Sequence, residues 1–238
     1  MIAFLRYFLY TFYIFLSLFI VSPLAIIRPF NPANSYMFFK VFAFFMENFG
    51  GFKLHVEGAQ KVVQTAPGVL IGNHQHNYDV LSVAKIFTRK TVVLGKFELG
   101  LIPFFGQIYF LFGNILVKRG NRKKAMKSMA MVEKKVLNNK LVVLVFPEGT
   151  RNTKKELKKF KKGAFYTALR TQSPLIPFSV SQFVAYCDFN TFKKIHIYVK
   201  VHDPIPTLGL TTQDIPALME KSKKIIETGI SELNQNYQ

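Results

Sequence analysis

A chain of 238 residues can form one globular domain with a sizeable core and a small appendage, and two catalytic domains would be crowded in it. Its formal charge of +19 and pI near 10.0 imply a polyanionic partner: nucleic acid, an anionic membrane surface or a phosphate-bearing substrate, among which charge alone does not choose. The lone Cys187 excludes an intramolecular disulfide and a cysteine-rich metal cluster, and fits a reducing compartment.

From Tyr7 to Ile27 the chain is uncharged and rich in Phe, Leu and Ile, close to the roughly 20 residues a helix needs to cross a bilayer. A secretory signal has an apolar region of only about 7–15 residues and a small-residue cleavage site. The run continues past Ser22-Pro23-Leu24-Ala25, so it reads as a retained anchor. Ser35 to Phe49 is a second apolar stretch, with only Lys40 and Glu47 charged, and Pro29 and Pro32 lie between the two. The expectation is a two-helix membrane anchor over residues 1–52, joined by a proline-containing turn. Whether the first helix spans the bilayer or the pair lies in one leaflet is open, and the second helix has the alternative of packing on the domain core.

Residues 53–238 form the expected catalytic domain. Short β-rich runs occur at Lys53–Val56, Val69–Gly72, Thr91–Leu94, Ile115–Val117, Leu141–Phe146, Leu175–Val180 and Ile195–Val201. Helix candidates lie at Val80–Phe87, Arg122–Leu137 and Ala164–Thr171. Apolar strands separated by helices predict an α/β fold: a mostly parallel or mixed central sheet flanked by helices. A last helix, about Thr212 to Asn234, repeats apolar residues at Ile215, Leu218, Met219, Ile225, Ile226, Ile230 and Leu233. Thr211 or Thr212 would cap it.

His74 directly follows one expected strand, at the end where open α/β folds place ligands. Asp79, five residues on, can begin a helix and turn its carboxylate toward the imidazole. A carboxylate on one ring nitrogen fixes the tautomer and leaves the other nitrogen to take a proton from a hydroxyl. By itself this spacing also describes a helix-cap aspartate near a hydrogen-bonded histidine. His76 adds a His-x-His pattern that brings metal sites to mind, but the carboxylate spacing does not suit one. No Gly-x-Ser-x-Gly elbow occurs, and Cys187 reads as an inert thiol.

The second informative stretch is Phe146-Pro147-Glu148-Gly149-Thr150-Arg151. Pro147 ends the preceding apolar strand, because it cannot donate a ladder hydrogen bond. Gly149 allows close backbone approach, Thr150 supplies a hydroxyl and Arg151 a planar fork for phosphate. Sixteen Lys and Arg lie from Lys118 to Lys162. Most read as surface charges that attract anionic lipid, each worth about 1 kcal/mol near a membrane, while Lys162, beside a helix start, is the better candidate for a site.

These ordered blocks resemble the 1-acylglycerol-3-phosphate acyltransferases of the glycerolipid acyltransferase superfamily, over about Leu54 to Val201. The family's His-four-residues-Asp block falls on His74 and Asp79, and its Gly-x-x-Phe-Ile-x-Arg type of block on Gly113 to Arg119. The third falls on Phe146 to Arg151 and the fourth on Leu175-Ile176-Pro177. Lys96-Phe97-Glu98-Leu99 with Ile102-Pro103 and Gly106, and Phe160-Lys161-Lys162-Gly163, are also similar.

The resemblance implies that His74, oriented by Asp79, deprotonates the sn-2 hydroxyl of lysophosphatidic acid for attack on the thioester of acyl-CoA or an acyl-carrier protein. By the same comparison Lys96, Arg119 and Arg151 hold the phosphate, and Glu148, Gly149 and Thr150 shape the acceptor site. No metal or prosthetic group is implied. His76 stands where the family often has a small hydroxyl residue, and the second block lacks the usual Phe. Both departures bear on the acceptor, and related branches acylate other lysophospholipids, glycerol-3-phosphate or lyso-ornithine lipids.

The expected partners are therefore a membrane lipid, an acyl thioester and an anionic membrane surface, with the catalytic domain on the cytoplasmic face. A membrane-tethered nucleic-acid-binding protein is the competing class. It lacks a zinc finger, an RNP sequence or an aromatic platform among the lysines, so no nucleic acid is expected.

Overall fold

A computed structural model describes residues 1–117, 122–154 and 156–237, with no side-chain description for 122–129 and 131. In chain order the elements are α1 (Ile2–Ile27), α2 (Ala33–Asn48), β1 (Phe52–Glu57), α3 (Gln60–Gln64), β2 (Gly68–Gly72), α4 (Asp79–Ser82), β3 (Thr91–Lys96), α5 (Phe105–Leu111) and β4 (Ile115–Val117). There follow α6 (Arg122–Asn139), β5 (Val142–Val145), α7 (Gly163–Arg170), β6 (Leu175–Val180), α8 (Phe183–Tyr186), β7 (Ile195–Val201) and α9 (Ile215–Asn234).

The seven apolar runs form one seven-stranded sheet in the order β1-β7-β6-β2-β5-β3-β4. Every neighbouring pair is parallel except β6 with β7, so the expected mixed, mostly parallel sheet is present. The central strands are buried on both faces. In β2, Leu70 packs toward the side bearing α1 and α2, while Val69 and Ile71 pack with residues of α7 and α9. On that second side, beyond β5, Val132 and Val136 of α6 cover Val92 and Val143.

Ile215, Leu218, Ile226, Ile230 and Leu233 of α9 are buried, in keeping with its apolar period. A 3-10 turn, Thr212–Asp214, leads into α9 and is the element that Thr211 caps: its hydroxyl accepts from Gln213 N while Asp214 accepts from Thr211 N at 2.7 Å. This reciprocal pair satisfies two donors before the helix begins.

The expected helix over Val80–Phe87 is cut short. α4 ends at Ser82 and the chain continues in tight turns, with Ala84 N bonding Leu81 O and Ile86 N bonding Val83 O. Leu81, Val83, Ala84, Ile86 and Phe87 are all buried. These tighter turns place more of the segment's sides in the core than one face of an α-helix could. The short helices α3, α5 and α8 were not expected from the apolar period, being too brief to display one.

The two N-terminal helices pack on the sheet. Phe38, Phe39, Phe42, Ala43 and Met46 of α2 join the cluster formed by β1, β7 and α4, which makes α2 a core helix. α1 contributes Tyr10, Leu18, Val21 and Ala25 to the same cluster. Its Arg6 guanidinium donates to Gly51 O at 2.8 Å and to Thr191 O and Lys193 O at 2.6 Å each, fixing the helix to the chain entering β1 and β7. Phe4, Phe8, Phe12, Phe15 and Phe19 remain exposed on its other side. Among the described residues α1 alone has the length and hydropathy of a membrane-crossing helix.

Phe42 is fully buried, stacks with Phe38 and meets the Tyr10 ring edge-on. Phe42→Ala should therefore cost about 3–5 kcal/mol of stability, read by denaturant unfolding in detergent. An unchanged midpoint would show that α2 is not part of the folded core.

Candidate active site

Because β2, β5, β3 and β4 run parallel, their C-terminal ends share one edge of the sheet. His74 follows β2, Glu148 to Arg151 follow β5, and Lys96 ends β3. Arg119, expected beyond β4, lies outside the described residues.

Asp79 opens α4 and is 1% exposed. Its Oδ2 lies 2.6 Å from His74 Nδ1 and also accepts the backbone N–H groups of Gln75 at 2.6 Å and His76 at 3.0 Å. An ionised carboxylate only accepts, so His74 Nδ1 carries the proton and Nε2 carries the lone pair. The imidazole is 21% exposed and lies against Phe146, with ring centroids 4.2 Å apart. Packing on one face and a charged acceptor on one nitrogen set the ring's orientation.

The two motifs interlock through His74. Its N–H donates to Glu148 Oε1 at 3.0 Å, and its carbonyl accepts from Asn152 N at 2.8 Å. Glu148 is 2% exposed, and its Oε2 accepts from Asn152 Nδ2 at 2.9 Å and Lys158 N at 3.0 Å. Both oxygens are thus occupied by groups of the protein, and this side chain acts on the site through His74. On the other side, Asn73 exchanges two hydrogen bonds with the backbone of Val180, and Gln75 Nε2 donates to Val180 O and Ser181 O.

Gly149 has a φ of +71°, a conformation that costs an L side chain roughly 1–2 kcal/mol. It turns the chain so that Thr150 and Arg151 come out exposed at the sheet edge. Arg151's charge reaches His76, whose basicity is lowered first by burial, restored in part by Asp79, and lowered again by Arg151. Tyr78, stacked on His76, has its pKa raised by burial to about 12. Burial likewise raises the Cys187 pKa above the usual thiol value, as expected of an unreactive thiol.

His74 is therefore in contact with both carboxylates, with Asp79 through its ring and with Glu148 through its backbone N–H, and Gly149, Thr150 and Arg151 form the adjoining turn. Lys96 is exposed at the same edge and, among the described residues, makes no hydrogen bond or ion pair with the others. No cluster of three or more metal-ligating side chains occurs among the described residues. Asn73, Gln75 and Asn152 hold the loop but were not assigned roles from the sequence. Their signal was adjacency to the motif residues, which does not reveal which side chains turn back onto backbone.

A partly exposed imidazole held by a buried carboxylate, at the sheet edge that also presents the exposed Arg151, is an arrangement that suits a general base working beside an anion. Residues 53–181 match the family model described as Acyltransferase, and the chain belongs to that family. The 1-acyl-sn-glycerol-3-phosphate acyltransferase of Haemophilus influenzae is 33% identical over 205 residues, 86% of this chain and 85% of that protein. The enzyme of the same name from Escherichia coli is 35% identical over 167 residues, 70% of this chain and 68% of that one. Within the family, then, the chain falls among the 1-acylglycerol-3-phosphate acyltransferases its motifs resemble. The fold matches the crystal structure of the 1-acyl-sn-glycerophosphate (LPA) acyltransferase from Thermotoga maritima, with a TM-score of 0.67 and 21% identity, over 98% of this chain and 94% of that one.

Glu148→Gln would set an amide NH2 against backbone or Asn152 donors, and hydrogen bonds to a charged group are worth about 1.5–3 kcal/mol. It should lower both the thermal midpoint and turnover, turnover by about 10-fold or more. Arg151→Ala, at an exposed position, should leave the midpoint unchanged and raise KM for a phosphate-bearing acceptor about 10-fold. Steady-state kinetics with calorimetry separates the two, and a Glu148→Gln enzyme of full stability and rate would refute the interlock.

Proposed function

We propose that this chain transfers an acyl group from a thioester to the free sn-2 hydroxyl of 1-acylglycerol-3-phosphate, forming phosphatidic acid. The observation that carries the reading is the His74–Asp79 pair at 2.6 Å, set beside the turn that presents Arg151. His74 Nε2 accepts the hydroxyl proton as that oxygen attacks the thioester carbonyl. The new C–O bond forms, the C–S bond breaks, and the imidazolium returns its proton to the departing thiolate. Asp79 stabilises the imidazolium between the two transfers.

Arg151, Lys96 and Arg119 are the cations proposed to hold the acceptor's phosphate. The donor is acyl-CoA or an acyl-carrier protein, and the step as drawn uses no metal or prosthetic group, since a thioester is already activated toward an alkoxide-like oxygen. The half-buried His76 next to Arg151 favours one further reading of the same chemistry, in which another lysophospholipid or a lyso-ornithine lipid is the acceptor. A panel of lyso-acceptors with one labelled acyl donor distinguishes them.

Such acceptors reside in the bilayer, and the chain offers a surface for it. Besides the aromatic side of α1, Phe30, which contacts Phe110, and Leu101, Ile102 and Phe104 in the segment after Lys96 are exposed. Since the opposite side of α1 is hydrogen-bonded to the domain through Arg6, the reading favoured is a helix lying in one leaflet. The basic surface then faces anionic headgroups, on the cytoplasmic side.

His74→Ala should fold normally and lose about 10²–10⁴-fold in transfer rate, the usual contribution of a general base. Unchanged turnover in purified protein would sink the assignment. Right-side-out vesicles should protect the catalytic domain from protease until they are permeabilised, and cleavage in intact vesicles would reverse the proposed orientation.

A further inference from the structure

The loop from His74 to Asp79 is gripped on three sides. Glu148 and Asn152 hold the backbone of His74, and Asn73 and Gln75 hold the inner part of the loop to the end of β6. The outer part, Asn77 and Tyr78, is held from α1. The Tyr10 hydroxyl donates to Asn77 O at 2.5 Å, and the Tyr10 ring packs edge-on against Tyr78 with centroids 4.6 Å apart.

Tyr10 is 4% exposed, and a buried hydroxyl without a partner costs roughly 1–3 kcal/mol. Its bond to Asn77 is therefore a condition of α1 docking as it does. Tyr78 in turn packs on Phe52 and Phe189, and Tyr7 approaches its edge. Asn77 and Tyr78 are the two residues immediately before Asp79, so any slack there moves the carboxylate relative to His74. Displacing a catalytic group by about 1 Å can cost on the order of 10²-fold in rate.

We propose that Tyr10 is a positioning residue for the general base: through Asn77 and Tyr78, the N-terminal helix sets the distance between Asp79 and His74. α1 thereby has two working sides, an aromatic one exposed to its surroundings and one that completes the catalytic loop. The proposal rests on His74 being the general base.

Tyr10→Phe keeps the ring and removes only the hydroxyl. Val21→Ala, at a residue of α1 that is 1% exposed and remote in sequence from Tyr10, weakens helix packing without touching the loop. Both are compared with the parent and with His74→Ala, as full-length protein in mixed micelles containing 1-acylglycerol-3-phosphate and acyl-CoA. Tyr10→Phe is expected to lower kcat about 10-fold or more, with KM for the acceptor within about two-fold of the parent, while Val21→Ala lowers the thermal midpoint and leaves kcat unchanged.

A Tyr10→Phe kcat within about two-fold of the parent, with His74→Ala inactive, overturns the positioning role and leaves the general base standing. Equal losses of kcat in Tyr10→Phe and Val21→Ala that track their midpoints overturn it too, since packing alone would then explain both. Full activity in His74→Ala removes the base assignment and this proposal with it.

Discussion

The Asp79 carboxylate organises the site around it. Buried to 1% exposure in a chain of net charge +19, it is matched among the described residues by short-range donors, not by a lysine or arginine: one imidazole N–H and two backbone N–H groups, all on Oδ2. A buried charge must be compensated or it neutralises. Two of its compensating donors lie on the loop that carries His74, so the loop must be folded for the buried carboxylate to be satisfied. Among the described residues its Oδ1 has no hydrogen-bond partner, and there His74 is the side chain that hydrogen-bonds the carboxylate.

Glu148 repeats the device one strand away. It reaches across from the turn after β5 to the loop after β2, and its two oxygens bind three N–H groups belonging to three different residues. Two buried carboxylates thus fasten two loops whose strands are already neighbours in register, with Ile71 opposite Val145. The parallel sheet provides the adjacency, and the carboxylates provide the precision that hydrogen-bond geometry allows.

All seven strands were legible because buried parallel strands read as short continuous apolar runs, a signal that does not depend on distant partners. The His74–Asp79 pair and the Arg151 turn were legible for a similar reason, since each lies within a few residues of sequence. Glu148 was expected to shape the acceptor site, and only the fold shows its oxygens turned to His74, Asn152 and Lys158. The stretch after Ser82 misled because its apolar spacing suits a helix, while burial on several sides favours turns. Tyr10 was hidden altogether: it sits in a run whose hydropathy speaks of lipid, and its partner Asn77 is 67 residues away. Residues with a second role inside a membrane-like segment carry no local mark of it.

The exposed aromatic side of α1 and the basic surface of the domain differ in how they respond to salt. Between about 0.15 M and 1 M the screening length falls from roughly 8 Å to 3 Å, which quenches attraction between lysines and anionic lipid. Excluded salts such as sulfate strengthen the burial of apolar side chains over the same range. A protein held by both would resist a salt wash and yield to detergent, and raised ionic strength would slow its arrival at a bilayer far more than it would hasten its departure.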